Sequence, residues 1–226
     1  MVTCYTRITP ESNIGVPEEE MSPFRPANDP ERRKYQDPEA ILARIGLMPG
    51  FTFVDVGCGG GFFALPAARI IGEKGRLYGV DQNTEAIENL RDLADGEGLD
   101  NLILMTGNAE EAVLCEQCAD IVFFGLVVVH LPEPVRALEN AKKMLRPEGW
   151  LVIFDWKRKL TRMGPPMEQR LSEGQIVDLI KTAGFSRITV EDNGPYHYII
   201  TTRPWLVIPN QVIPPEKSPL NLTPED

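Results

Sequence analysis

The feature that most constrains the fold is one stretch, Phe51-Thr-Phe-Val-Asp-Val-Gly-Cys-Gly-Gly-Gly-Phe-Phe63, an apolar run carrying one acid that gives way to closely spaced glycines. Phe51 to Val56 is β-branched and aromatic apart from Thr52 and Asp55, the composition of a short strand buried on both faces of a parallel sheet. Gly57, Gly59, Gly60 and Gly61 end it. A residue without Cβ adopts positive φ freely and lets a ligand reach the backbone at van der Waals distance. Phe62 to Ile71 then reads as a buried helix whose unsatisfied N-terminal amides face the same turn. Strand, glycine turn and helix together make a pocket for a nucleotide.

Two spacings overlap in this stretch. Gly59-Gly-Gly61-Phe-Phe-Ala64 satisfies the loose G-x-G-x-x-G/A pattern of dinucleotide sites, and Asp81 follows Gly61 by 20 positions, where a ribose-binding acid belongs. The same residues also read as Asp55-x-Gly57-x-Gly59-x-Gly61. An acid at that strand end suits a ligand with an α-ammonium group and repels a pyrophosphate. A glycine turn that binds nothing is the third reading.

The strand-helix pattern then repeats, as in a parallel sheet. Gly75 to Asp81 is a second strand that also ends on an acid, Thr84 to Leu93 is a helix, and Leu102 to Thr106 is a third strand. Asp81, followed by Gln82, can accept from both hydroxyls of a ribose or cap the next helix. Gly107-Asn108-Ala109 comes directly after the third strand. The amide oxygen of Asn108 can accept from an exocyclic amine, or Asn108 can cap a short helix over Ala109 to Leu114. Ala119 to Leu131 supplies a fourth strand and its loop. Gly125 allows close backbone approach there, and His130 can take a proton from a nucleophile or pack beside a ligand. Cys58, inside the glycine turn, is small enough to lie buried under a ligand.

Asp55-x-Gly57-x-Gly59-x-Gly61, Asp81 and Asn108, contributed in order by three successive strands, resemble the class I S-adenosylmethionine-dependent methyltransferases. Leu145-Arg-Pro-Glu-Gly-Trp-Leu151 resembles the turn before the fifth strand in members that act on small molecules. The resemblance covers about Asp37 to Arg203. It implies an α/β fold: a doubly wound, seven-stranded, mostly parallel sheet of the Rossmann-like methyltransferase type with an antiparallel C-terminal hairpin strand. It also implies S-adenosyl-L-methionine as cofactor, bound by Asp55, Gly57, Cys58, Gly59, Gly61, Asp81, Gln82, Asn108, Ala109 and Gly125. His130 is the candidate catalytic base, and no metal is called for. The activity so implied is in-line transfer of a methyl group to a small-molecule N, O, S or C atom. An NAD-dependent reductase is the alternative, for which no Tyr-x-x-x-Lys is present, and a non-catalytic S-adenosylmethionine-binding protein is another. An arsenite methyltransferase needs converging cysteines, which Cys115-x-x-Cys118 on a helix does not supply, and the N-P-P-Y tetrapeptide of amide and adenine N-methylation is absent.

Three parts are expected: an N-terminal arm or lid over 1–36, the methyltransferase-like domain over 37–203, and a proline-rich tail over 204–226. Asp37-Pro38-Glu39 opens a helix with an N-cap, a first-position proline and a first-turn acid. The segment before the first strand often folds over the cofactor in the family resembled, which makes Arg32, Arg33 and Tyr35 candidates to reach substrate. The basic cluster Lys157, Arg158, Lys159 and Arg162 reads as a solvated loop or an attractor of acidic substrates. A net charge of -10 disfavours a nucleic-acid partner. No apolar run reaches the length of a membrane span, and neither a signal peptide nor a cysteine framework is visible. A cytoplasmic protein with free thiols is expected; nothing speaks to oligomeric state.

Overall fold

The computed structural model describes residues 29–204. In chain order the elements are α1 (Pro30–Arg33), α2 (Pro38–Arg44), β1 (Thr52–Val56), α3 (Ala64–Ile71), β2 (Arg76–Asp81), α4 (Thr84–Gly96), β3 (Leu102–Thr106) and β4 (Ala119–Gly125). There follow α5 (Pro134–Met144), β5 (Leu145–Trp156), α6 (Glu173–Thr182), β6 (Phe185–Asn193) and β7 (His197–Pro204). The sheet order is β3-β2-β1-β4-β5-β7-β6. Strands β1 to β5 pair in parallel, and β7 runs antiparallel to both β5 and β6. This is the seven-stranded, doubly wound arrangement that the sequence implies.

Alternate strand residues bury into opposite layers, as the period of two requires. Phe53, Phe123, Val152 and Phe154 face α2, α3 and α4, meeting Leu42, Leu65 and Leu90. Val54, Val122, Phe124 and Ile153 face α5 and α6, meeting Leu138, Met144, Ile176 and Ile180. Helix starts follow local chemistry. The Asp37 carboxylate accepts from Ala40 N, and Ser172 and Gln175 form a reciprocal capping box at the start of α6.

The β6–β7 hairpin lies at the sheet edge as expected, with β7 between β5 and β6 and β6 as the edge strand. Two other readings are corrected. No helix covers residues 109–114. The Asn108 carbonyl instead accepts from Glu111 N and Ala112 N in an isolated turn. Cys115 and Cys118 are not free thiols on a helix; they form a disulfide within an irregular loop. That loop is tied to α5 where Gln117 N and Cys118 N donate to the Lys143 and Met144 carbonyls, with Gln117 at φ 48° making the turn. The basic loop after β5 is solvated, with Arg158, Lys159 and Arg162 exposed, and it is also internally ordered. Arg170, only 3% exposed, donates to the carbonyls of Pro165, Lys157, Lys159 and Met163 and to Thr161 Oγ1, and Lys157 pairs with Asp192 at 2.5 Å. A guanidinium with five donors can gather a loop in this way, which a charge run read by composition does not reveal. Among the described residues no helix is long and apolar enough to cross a membrane.

Candidate active site

Parallel pairing brings the carboxyl ends of β1 to β5 to one edge of the sheet. Winding reverses between β1 and β4, which opens a crevice at that edge. Gly57 N and Cys58 N both donate to the Val80 carbonyl, so the glycine turn leaves β1 and folds onto the end of β2. Gly57 sits at φ 76°, and a Cβ there would lie 2.5 Å from Val127 Cγ2. Gly59, at φ 50°, has no atom nearer to its would-be Cβ than Asp81 Oδ2 at 3.9 Å. The turn therefore has one glycine demanded by packing and another whose outer side is open to a ligand.

Asp81 is held at both oxygens. Oδ2 accepts from Gly59 N at 2.8 Å and Oδ1 from Asn83 N at 2.9 Å. An ionised carboxylate offers about four lone-pair positions, so roughly one per oxygen is left for a vicinal diol. Asp55, at the end of β1, is 2% exposed, and its Oδ2 has no hydrogen-bond partner among the described residues. Burial, reinforced by the Asp81 charge and opposed by Arg32, pushes its carboxyl up to about 8. A buried carboxyl oxygen without a donor is costly, and a cationic ligand group relieves that cost.

A cavity of about 250 Å³ opens beside Asp81 and Gly57, with Asp55 behind its wall. Of the residues singled out in the sequence, Gly57, Asp81, Gln82, Asn108, Ala109 and His130 line it together. Val127 and Leu131, which carried no sequence signal, line it too. The loop holding Asn108 is braced from α5, where the buried Asn140 donates to the Glu110 carbonyl at 2.8 Å. His130 closes a single 3-10 turn, with its amide donating to the Val127 carbonyl at 2.9 Å. Just before it, Leu126 adopts φ 62°, a conformation that side chains with a Cβ rarely take and that recurs at functional sites.

The remaining candidates lie outside the cavity wall. Gly59 reaches it only through Asp81. A Cβ on Gly61 would meet Leu90 Cδ1 at 2.4 Å, and one on Gly125 would meet Phe123 Cε1 at 2.6 Å, so both are required by packing. Cys58 is buried with its Sγ toward Gly79, and burial beside Asp55 and Asp81 pushes its thiol well up. At the end of β5, Asp155 is buried with Oδ2 unpartnered among the described residues and its carboxyl pushed up to about 7 by burial.

A family model described as a methyltransferase domain matches residues 47–190, well over half of the chain. The crystal structure of a SAM-dependent methyltransferase from Aquifex aeolicus superposes with a TM-score of 0.73 at 31% identity, covering 77% of this chain and 93% of that one. The chain belongs to the S-adenosylmethionine-dependent methyltransferases. Two curated methyltransferases align over shorter spans. The arsenite methyltransferase of Halobacterium salinarum is 29% identical over 53% of this chain and 30% of its own length. The probable cobalt-precorrin-6B C(15)-methyltransferase (decarboxylating) of Pyrobaculum calidifontis is 33% identical over 65% of this chain and 71% of its own length.

The cofactor of this methyltransferase is S-adenosyl-L-methionine, and the residues present fit it. The orphaned Asp55 oxygen matches an ammonium group, and the doubly anchored Asp81 matches a ribose diol. The cavity past Asn108 has room for a purine.

Proposed function

We propose that the chain transfers the sulfonium methyl of S-adenosylmethionine to a small-molecule acceptor by in-line displacement. The observation that carries this reading is the buried oxygen of Asp55 at the end of β1, without a hydrogen-bond partner among the described residues, beside the glycine turn and one strand away from Asp81. Asp55, in the ionised form that meets an ammonium group, opposes a pyrophosphate at this edge, which weighs against a nicotinamide dinucleotide.

When bound, the cofactor supplies an electrophilic methyl group that an acceptor lone pair takes up as the carbon–sulfur bond breaks toward sulfur. Asp55 holds the α-ammonium end, Asp81 accepts from the ribose hydroxyls, and Asn108 with Ala109 meets the adenine edge. Val127 and Leu131 supply apolar wall that keeps water from the cavity. His130, in the same wall, is placed to take a proton from an acceptor that must lose one. Catalysis then comes chiefly from holding two reactants in line. A small acceptor agrees with the names of the two curated relatives, one for arsenite and one for a precorrin.

The test is turnover. The protein is incubated with methyl-labelled S-adenosylmethionine and panels of phenols, amines, thiols, arsenite and corrinoid precursors, and release of S-adenosylhomocysteine is followed. Acceptor-dependent release supports the transferase reading. Tight cofactor binding with no release on any panel favours a binding protein without transferase activity.

A further inference from the structure

The run Lys157-Arg-Lys-Leu-Thr-Arg162 follows β5 directly, and methyl transfer as described above makes no use of it. Its shape follows from Arg170. The guanidinium draws one oxygen from every second residue: the carbonyls of Lys157, Lys159, Met163 and Pro165, and Thr161 Oγ1. Inward ties at alternate positions turn the residues between them outward, so Arg158, Leu160 and Arg162 are exposed, and Lys159 is exposed beside them. Leu160 is 89% exposed, against 53% for Met48, the next most exposed large apolar residue among those described. The loop is braced from below as well. Gly164, at φ 79°, lies against Trp156, where a Cβ would come within 2.7 Å of Cζ2, and Thr161 Oγ1 donates to the Met163 carbonyl at 2.7 Å. The leucine is therefore held out on a fixed backbone, and little ordering remains to be lost when the loop meets a partner.

The cations of the loop are not equivalent. Lys157 is committed, pairing with Asp192 and donating to the Gly194 carbonyl at 3.0 Å. Arg158, Lys159 and Arg162 enter none of the ion pairs among the described residues. The one acid between Lys157 and Arg170 is Glu168, beyond the exposed run. An apolar side chain flanked on both sides by cations matches an anionic lipid surface, where cations meet headgroups while the leucine enters the boundary with the acyl chains. A soluble acidic partner would account for the cations and leave the leucine without a use. The net charge of -10 opposes such a surface at long range, but screening over about 8 Å at physiological salt leaves contact to the local charges.

We propose that residues 157–163 dock the protein peripherally on an anionic membrane surface, with Leu160 at the headgroup–acyl boundary and Arg158, Lys159 and Arg162 on the headgroups. The loop leaves β5 at the sheet edge where the crevice between β1 and β4 opens, so docking brings that crevice beside the bilayer. This goes beyond the methyltransferase reading and does not depend on it.

The test is co-sedimentation of the full chain, at millimolar lipid, with vesicles of phosphatidylcholine alone or with about one third phosphatidylserine. The wild-type chain should sediment with the anionic vesicles at low salt, and the binding should fade as salt rises. The triple variant Arg158→Gln, Lys159→Gln, Arg162→Gln should lose about 100-fold in partitioning, from about fivefold per cation. Leu160→Ser should lose several-fold with the salt dependence unchanged, and Leu160→Trp should bind more tightly. All four positions are exposed, so an unchanged thermal midpoint reports that each variant is folded. Absence of wild-type binding to anionic vesicles overturns the proposal, as does a triple variant that sediments like wild type. Equal binding by Leu160→Ser and wild type also overturns it, and retention on heparin with the same indifference to Leu160 would assign the patch to a soluble polyanion instead.

Discussion

The side-chain amide of Gln36 lies 2.8 Å from His197 Nε2, across 161 residues of sequence. Their roles follow from Arg32. Arginine can only donate, so the Gln36 atom 2.6 Å from Arg32 Nε is its carbonyl oxygen, and the amide nitrogen is the one that faces histidine. His197 Nε2 is therefore the bare acceptor, and its proton sits on Nδ1. A second ring proton would set donor against donor. Burial, and then the charges of Arg170, Arg32 and Lys157, push the ring down to about 3. Stacking on Phe154 at 4.7 Å completes the enclosure.

This fixes a pH dependence. Unfolded His197 takes up a proton near the usual value of 6.5, and the folded form resists it down to about 3. The contribution is present above pH 6.5 and is lost as pH falls through that window. Thermal unfolding of wild type and His197→Gln between pH 7 and pH 4.5 should therefore diverge, with the wild-type midpoint dropping more steeply. Parallel curves would show that the ring is not held neutral.

Asp155 predicts the opposite slope. Its folded carboxyl is raised to about 7, so its contribution is complete below the unfolded value near 3.8 and is lost as pH climbs through 7. Asparagine reproduces the neutral form. The advantage of Asp155→Asn over wild type should grow between pH 5 and pH 8.5 by about 4 °C or more, equivalent to about 1–2 kcal/mol. An advantage that shrinks over that range would mean that the ionised form is the one the fold holds.

Much of this architecture is legible in sequence because its causes are local. Asp37 and Pro38 set a helix start within a few residues, and the acids Asp55 and Asp81 announce themselves at the ends of β-branched runs. Asn108 and His130 are found by position after a strand. What escapes depends on distant pairing. No periodicity in Tyr196-His-Tyr198 hints at a neutral histidine latched to Gln36, and nothing in a basic loop shows that Arg170 will gather it. The insertion of β7 between β5 and β6 is likewise a choice among pairings that a strand pattern leaves equal.

Asp55 makes cofactor binding a proton-linked event. With its carboxyl near 8, it is mostly protonated at pH 7, whereas an ammonium ligand requires the anion. Binding of S-adenosylhomocysteine at pH 7 should release about one proton per site, and affinity should rise from pH 6 to pH 8. Titration in buffers of different ionisation enthalpy measures this directly. Asp55→Asn should abolish the release; persistence of it would assign the proton to another group.

The most direct measurement is calorimetric titration with S-adenosylmethionine, S-adenosylhomocysteine and NADH, on wild type and on Asp81→Ala. If Asp81 holds the ribose diol while anchored to Gly59 and Asn83, both sulfur nucleosides bind the wild-type chain and NADH does not. The alanine variant should then lose about 100-fold in affinity, the worth of two charge-assisted hydrogen bonds. Preferential binding of NADH, or undiminished nucleoside binding by Asp81→Ala, would contradict the cofactor site described above.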